Sequence, residues 1–109
     1  MQFGFCAGFD EKDLALARDA GFDGIEMFVP NKAMMNPEKI DADVIRRTRE
    51  TFDRAGVRAL TVFHYGDYAA ADPAKPKAAA VGMKKSMDVA EGLGTKIVTC
   101  NAWVSLPRT

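Results

Sequence analysis

Neither sign of charge predominates in this sequence: fifteen basic residues offset fifteen acidic ones, for a formal net charge of zero. No stretch is basic enough to form a nucleic-acid groove, so no nucleic-acid partner is expected. Long apolar runs are also missing. The longest, such as Ile97 to Cys100, fall far short of the roughly 20 residues a bilayer span needs, and no membrane partner is expected. Met1-Gln2-Phe3 has neither the basic start nor the apolar body of a signal peptide, which makes a cytoplasmic location the expectation. Cysteine is scarce. Cys6 and Cys100 fall at the ends of what read as the first and fourth strands, too far apart to bridge, so reduced thiols are expected. Neither has an activating neighbour in the sequence, which argues against a nucleophile. Gly4 and Gly8 are too sparse for a phosphate-binding loop. No linker or low-complexity segment interrupts the 109 residues, and at 48% hydrophobic they suffice for one modest core.

What the chain does contain is a repeat. Ala20-Gly21-Phe22, Ala55-Gly56-Val57 and Leu93-Gly94-Thr95 each set a glycine between a helical apolar pattern and a β-rich run, at separations of 35 and 38 residues. That is the length of one βα unit. Strands repeated at this period pair in parallel, because parallel neighbours need a crossover connection, and the helices pack outside the sheet. Four strands and three main helices therefore predict an α/β fold: a partial (βα) TIM-barrel-like unit, one incomplete barrel domain over residues 1–109.

The first strand is expected over Gln2–Ala7, and Asp10 caps a helix starting near Glu11, with Leu14, Ala17 and Phe22 buried. The second strand, Gly24–Val29, stops at Pro30; a long loop follows, in which Asn36-Pro37 opens a short helical turn. The second helix runs over roughly Asp41–Ala55, with Ile40, Val44, Thr48, Phe52 and Ala55 as its apolar face. The third strand is Val57–His64. Asp72-Pro73 precedes a third helix, firm from about Lys77, with Ala80, Met83, Met87 and Ala90 as the core-filling side. The fourth strand spans Lys96–Trp103.

Parallel connectivity gathers the loops after the four strands at one end, the catalytic face in βα-barrels. His64, the sole histidine, can bind a metal, polarise a carbonyl or hydrogen-bond as a pocket wall. Glu26 lies between Ile25 and Met27, so strand alternation turns it to the opposite face from both, toward the barrel interior. There it is either catalytic or a hydrogen-bonding group that organises the strands. Trp103, Phe5 and Phe28 are candidates for an apolar wall against a sugar. If Phe63 packs on the helices, His64 turns inward with Val62, and His64, Glu26, Asn101 and Trp103 converge at the carboxyl end of the sheet.

With these residues placed, Gly21-Phe22-Asp23-Gly24-Ile25-Glu26-Met27, the strand ending in Phe63-His64, and Leu93-Gly94-Thr95-Lys96-Ile97-Val98 resemble the xylose isomerase-like sugar phosphate isomerases and epimerases. The superfamily also includes endonuclease IV-type enzymes. The resemblance covers about residues 2–104. It implies an enzyme of small sugars or polyols that uses a divalent metal (Mn, Mg, Co or Zn) and exchanges a proton next to a carbonyl. Read from the residues themselves, Glu26 is the candidate catalytic group and His64, Asn101, Trp103 and Phe5 are the candidates at the substrate; the resemblance to the endonuclease-like members implies His64 as a metal ligand. In epimerase-like members the metal ligands come mainly from the fifth to eighth strands, so activity from four strands alone is not expected. In the endonuclease-like members a second histidine is expected near the fourth-strand end, where this chain has Asn101. The alternative is a non-catalytic half-barrel that self-associates or pairs with a complementary chain.

Overall fold

A computed structural model describes residues 1–34 and 36–101. Strands β1 (Gly4–Ala7), β2 (Gly24–Val29), β3 (Arg58–His64) and β4 (Val98–Cys100) alternate with helices α1 (Glu11–Asp19), α2 (Ala42–Ala55) and α3 (Ala74–Leu93). The sheet order is β1-β2-β3-β4, and every neighbouring pair is parallel. Sequential order with helical crossovers is the winding of a βα-barrel; a doubly wound sheet would reverse direction partway.

The caps at Asp10 and Asn36 act where expected, and Asp41, expected as the first residue of the second helix, is its cap instead. Asp10 and Asp41 cap α1 and α2 by accepting from the amides of Asp13 and Val44, and Asn36 caps a 3-10 turn over Pro37–Lys39. Gly21, Gly56 and Gly94 all adopt positive φ, between 71° and 79°, the left-handed conformation that ends a helix with little strain only at glycine. Two strands begin later than the sequence suggests, at Gly4 and Arg58, and β4 is shorter, Val98–Cys100. Helix α3 starts earlier, at Ala74, because Pro76 falls in its first turn, where a missing N–H breaks no helical hydrogen bond.

All three helices cover one face of the sheet. Ile25, Met27 and Val29 of β2 are fully buried there in one cluster with Leu14 and Ala17 of α1, Phe52 of α2, Val62 of β3, and Val89 and Ala90 of α3. Two expected core assignments change. Phe22 is exposed and packs edge-on against Phe5, with ring centroids 5.3 Å apart. In α3 the buried residues are Ala79, Gly82, Ser86, Val89 and Ala90, a face rotated by one position from the expected one, and Met87 is 54% exposed. Small side chains let α3 lie close to the sheet, which is why they, and not the methionines, face inward.

The register of β3 decides the rest. Ile25 pairs with Ala59 but Glu26 pairs with Thr61, so Leu60 is an extra residue, a bulge in β3. The Leu60 carbonyl accepts from the Thr95 hydroxyl at 2.7 Å. Its side chain lies over Gly24, where a β-carbon would come within 2.9 Å of Leu60 and 2.1 Å of the Arg58 carbonyl. One inserted residue moves every later side chain of the strand to the opposite face from the one that simple alternation from Ala59 assigns.

Candidate functional site

Past the bulge, Thr61 and Phe63 stand on the sheet face free of helices and Val62 and His64 on the helix side, as their partners Glu26, Phe28, Met27 and Val29 require. The helix-free face is built around Glu26. Its carboxylate accepts from three other strands: the Cys6 thiol on β1 at 3.2 Å, the Thr61 hydroxyl on β3, and the Thr99 hydroxyl on β4 at 3.3 Å. The hydrogen bond to Glu26, then burial, then the Glu26 charge raise the Cys6 thiol above its ordinary value, so Cys6 is a protonated donor and a poor nucleophile. Phe28 and Phe63 meet edge to face beside it at 5.4 Å. Cys6, Glu26, Phe28, Pro30, Phe63 and Tyr65 line a groove of about 610 Å³. A hollow of similar size, about 580 Å³, lies between α3 and the start of β4, away from the strand ends where barrel chemistry collects.

Of the candidate site residues singled out by sequence, Glu26 and Phe28 line this groove. The expected inward turn of His64 is corrected: the bulge puts its ring on the helix side, 3% exposed, over Gly82 of α3, where an added β-carbon would come within 2.5 Å of Nε2. Its Nδ1 shares a hydrogen bond with the Tyr68 hydroxyl. Burial lowers the imidazole below its usual 6.5, favouring the neutral ring. Phe5 pairs with Ile25 and so shares the helix side too. Asn101 is 6% exposed, and its amide is taken by Gly66: Oδ1 accepts from the Gly66 N–H at 3.0 Å and Nδ2 donates to the Gly66 carbonyl at 2.8 Å. Trp103 lies outside the described residues. Sequence reasoning missed Thr61, Thr99 and Tyr65. Thr61 is two residues before Phe63 and would share its face by alternation, but that becomes informative only once the bulge is known.

Among the described residues no set of side chains fits a divalent metal. Glu26 and His64 are on opposite faces of the sheet, and no group of three histidine, cysteine, aspartate or glutamate side chains among the described residues could hold an ion. No helix among them is long and apolar enough to cross a membrane.

The profile of the xylose isomerase-like TIM barrel family matches residues 14–107. Among solved structures, the chain is similar to Bacillus anthracis AsbF, described as the probable 3-DHS dehydratase involved in petrobactin synthesis, with a TM-score of 0.62 and 16% identity. The match covers 94% of this chain and 38% of AsbF; at that identity it is the fold that is shared. No curated protein matches the chain. With sequential parallel strands under a single layer of helices, and a family match running from within α1 to beyond β4, the chain belongs to the xylose isomerase-like TIM barrel family.

Proposed function

We propose that this chain forms the β1–β4 wall of the substrate groove in an enzyme that isomerises or epimerises a small sugar or related polyol. The observation that carries the reading is the Glu26 carboxylate, held by donors from three strands at the side of an aromatic groove. Carboxylate oxygens accept from sugar hydroxyls, and Phe28, Phe63 and Tyr65 offer apolar surface to the C–H face of the ring or chain. The hydroxyls of Thr61 and Thr99 orient the carboxylate, so Glu26 acts by binding and aligning substrate. The acid and base that move the proton next to the carbonyl, and the ligands of any divalent metal, come from strands beyond β4.

The test is titration of the isotopically labelled chain with a ketopentose and its phosphate, followed by amide chemical shifts. Shifts should concentrate at Cys6, Glu26, Phe28 and Phe63 and be lost in Glu26→Ala, while ketose–aldose conversion with added manganese, cobalt or magnesium stays near background. Shifts confined to the helix-covered side, or none at high millimolar sugar, would overturn the reading.

A second reading rests on a different observation. β1 and β4 each pair with a single strand among the described residues, and the helix-free face carries Phe28 and Phe63. Open edges and an uncovered sheet face invite pairing with another chain, as in a half-barrel that self-associates or binds a complementary half. Sedimentation of a strictly monomeric, well-folded particle at tens of micromolar would eliminate it.

A further inference from the structure

We infer that His64 and Asn101 are positioning residues that hold the loop between β3 and α3 and thereby set Tyr65 on the groove wall. The inference deepens the reading of that groove as a substrate site. Tyr65 is the first residue past β3, and its N–H donates to the Val29 carbonyl at 2.9 Å, extending the pairing with β2 by one step. Gly66 comes next, beyond the reach of regular strand pairing. Its N–H and carbonyl are both satisfied by the Asn101 side-chain amide, which stands in for a further residue of β4. Since Asn101 is 6% exposed, water competes little for these bonds.

His64 supports the same loop from the other side of the sheet. The ring is wedged between the end of β3 and Gly82 of α3, and the Tyr68 hydroxyl rests on Nδ1 with the two rings edge to face at 5.7 Å. Burial, and then the neighbouring Cys100 sulfur, raise the Tyr68 phenol above its ordinary value, so it remains a protonated partner for the neutral imidazole. Gly66 lies against this assembly: a β-carbon there would sit 3.0 Å from both the Ala79 Cβ and the His64 Cε1. The segment is thus held at residue 65 by Val29, at 66 by Asn101 and at 68 by His64. Tyr65 is its one side chain on the groove. Two residues that do not line the groove thus take part in positioning its wall.

The experiment is site-resolved amide hydrogen exchange on the full chain, comparing wild type with Asn101→Ala and Tyr68→Phe. Loss of the Asn101 amide should raise Gly66 exchange about tenfold or more relative to Met27 and Val62 in the centre of the sheet. The Tyr65 ring resonances should move toward averaged values while those of Phe28 stay put. Tyr68→Phe keeps the ring and loses only the hydroxyl; it should loosen Gly66 a few-fold and remain folded if Asn101→Ala does not. Asp41→Ala, which removes the α2 cap, weakens the whole protein far from the loop; it speeds exchange at Met27, which opens only globally, and should not raise the ratio of Gly66 to Met27 exchange. An unchanged ratio in both loop variants, or a Tyr65 ring that does not respond, would overturn the inference. No sugar enters the measurement, so its outcome is separate from that of the sugar titration.

Discussion

Replacing Gly82 by alanine should destabilise this protein although alanine is the better helix former. In an exposed helix interior the exchange would gain about 0.8–1.0 kcal/mol. At position 82 the new methyl would sit 2.5 Å from His64 Nε2, 3.1 Å from Cε1 and 3.5 Å from Cδ2. His64 is buried, so its ring can yield only by moving the β3 end or α3, and overpacking of this kind costs about 1–3 kcal/mol. A displaced ring also forfeits the hydrogen bond to Tyr68, worth about 1 kcal/mol. Together these leave a net loss of roughly 1–3 kcal/mol, read from urea denaturation midpoints at unchanged slope. Gly8→Ala is the control: nothing lies within 4 Å of its added β-carbon and its φ is not positive, so stability should stay level or rise by up to about 1 kcal/mol. In a His64→Ala background the Gly82→Ala cost should vanish or reverse, since the methyl then enters space that the ring has left; neighbours coupled in this way show interaction energies of about 0.5–3 kcal/mol. A Gly82→Ala protein as stable as wild type, with no coupling to position 64, would refute the packing of His64 on α3.

Glu26→Gln removes the carboxylate charge beside Cys6, so the raised thiol should fall back and alkylation of Cys6 by iodoacetamide should speed up at least about twofold at mildly alkaline pH. Peptide mass spectrometry, with Cys100 as internal reference, reads the ratio, and an unchanged or lower ratio contradicts the assignment. For His64, whose folded value is lowered from 6.5 by burial, the unfolded chain binds more protons in the window just below 6.5. Its contribution to stability is therefore complete above that value and is lost as pH falls toward the lowered one. Urea midpoints should drop between about pH 7 and pH 5, and His64→Gln should flatten that slope; the lowered Asp43, held by Arg46, titrates only below its ordinary 3.8 and does not overlap. Asp41→Ala removes the acceptor of the Val44 amide, bonded at 2.9 Å, and should cost about 1 kcal/mol; a midpoint equal to wild type would remove the cap from the account of α2.

Features carried by contiguous residues were legible in the chain. Asp10 and Asn36 cap the helical elements they precede, and β2 has the expected ends, Gly24 and Val29. The junction glycines take the left-handed backbone that their position between helix and strand demands. The turn of Glu26 away from Ile25 and Met27 was equally readable, because a strand without a bulge alternates strictly and both neighbours are fully buried under helices. The donors to Glu26 were not readable. Cys6, Thr61 and Thr99 lie 20, 35 and 73 residues from it in sequence, and only sheet register brings them together.

The sequence by itself determined that this is a parallel α/β barrel unit with one layer of helices, since period, caps and glycine junctions act within a few residues of the chain. Tertiary structure alone decided which side chains meet at the groove. The extra residue at Leu60 is accommodated by Gly24 and by the Thr95 hydroxyl, partners remote in sequence, and it carries His64 to α3 and Phe63 to the groove. The small face of α3, with Gly82 beneath the imidazole, is inward for the same reason. A buried methionine offers more apolar area than glycine, but close packing against a ring already in place admits only the smaller residue.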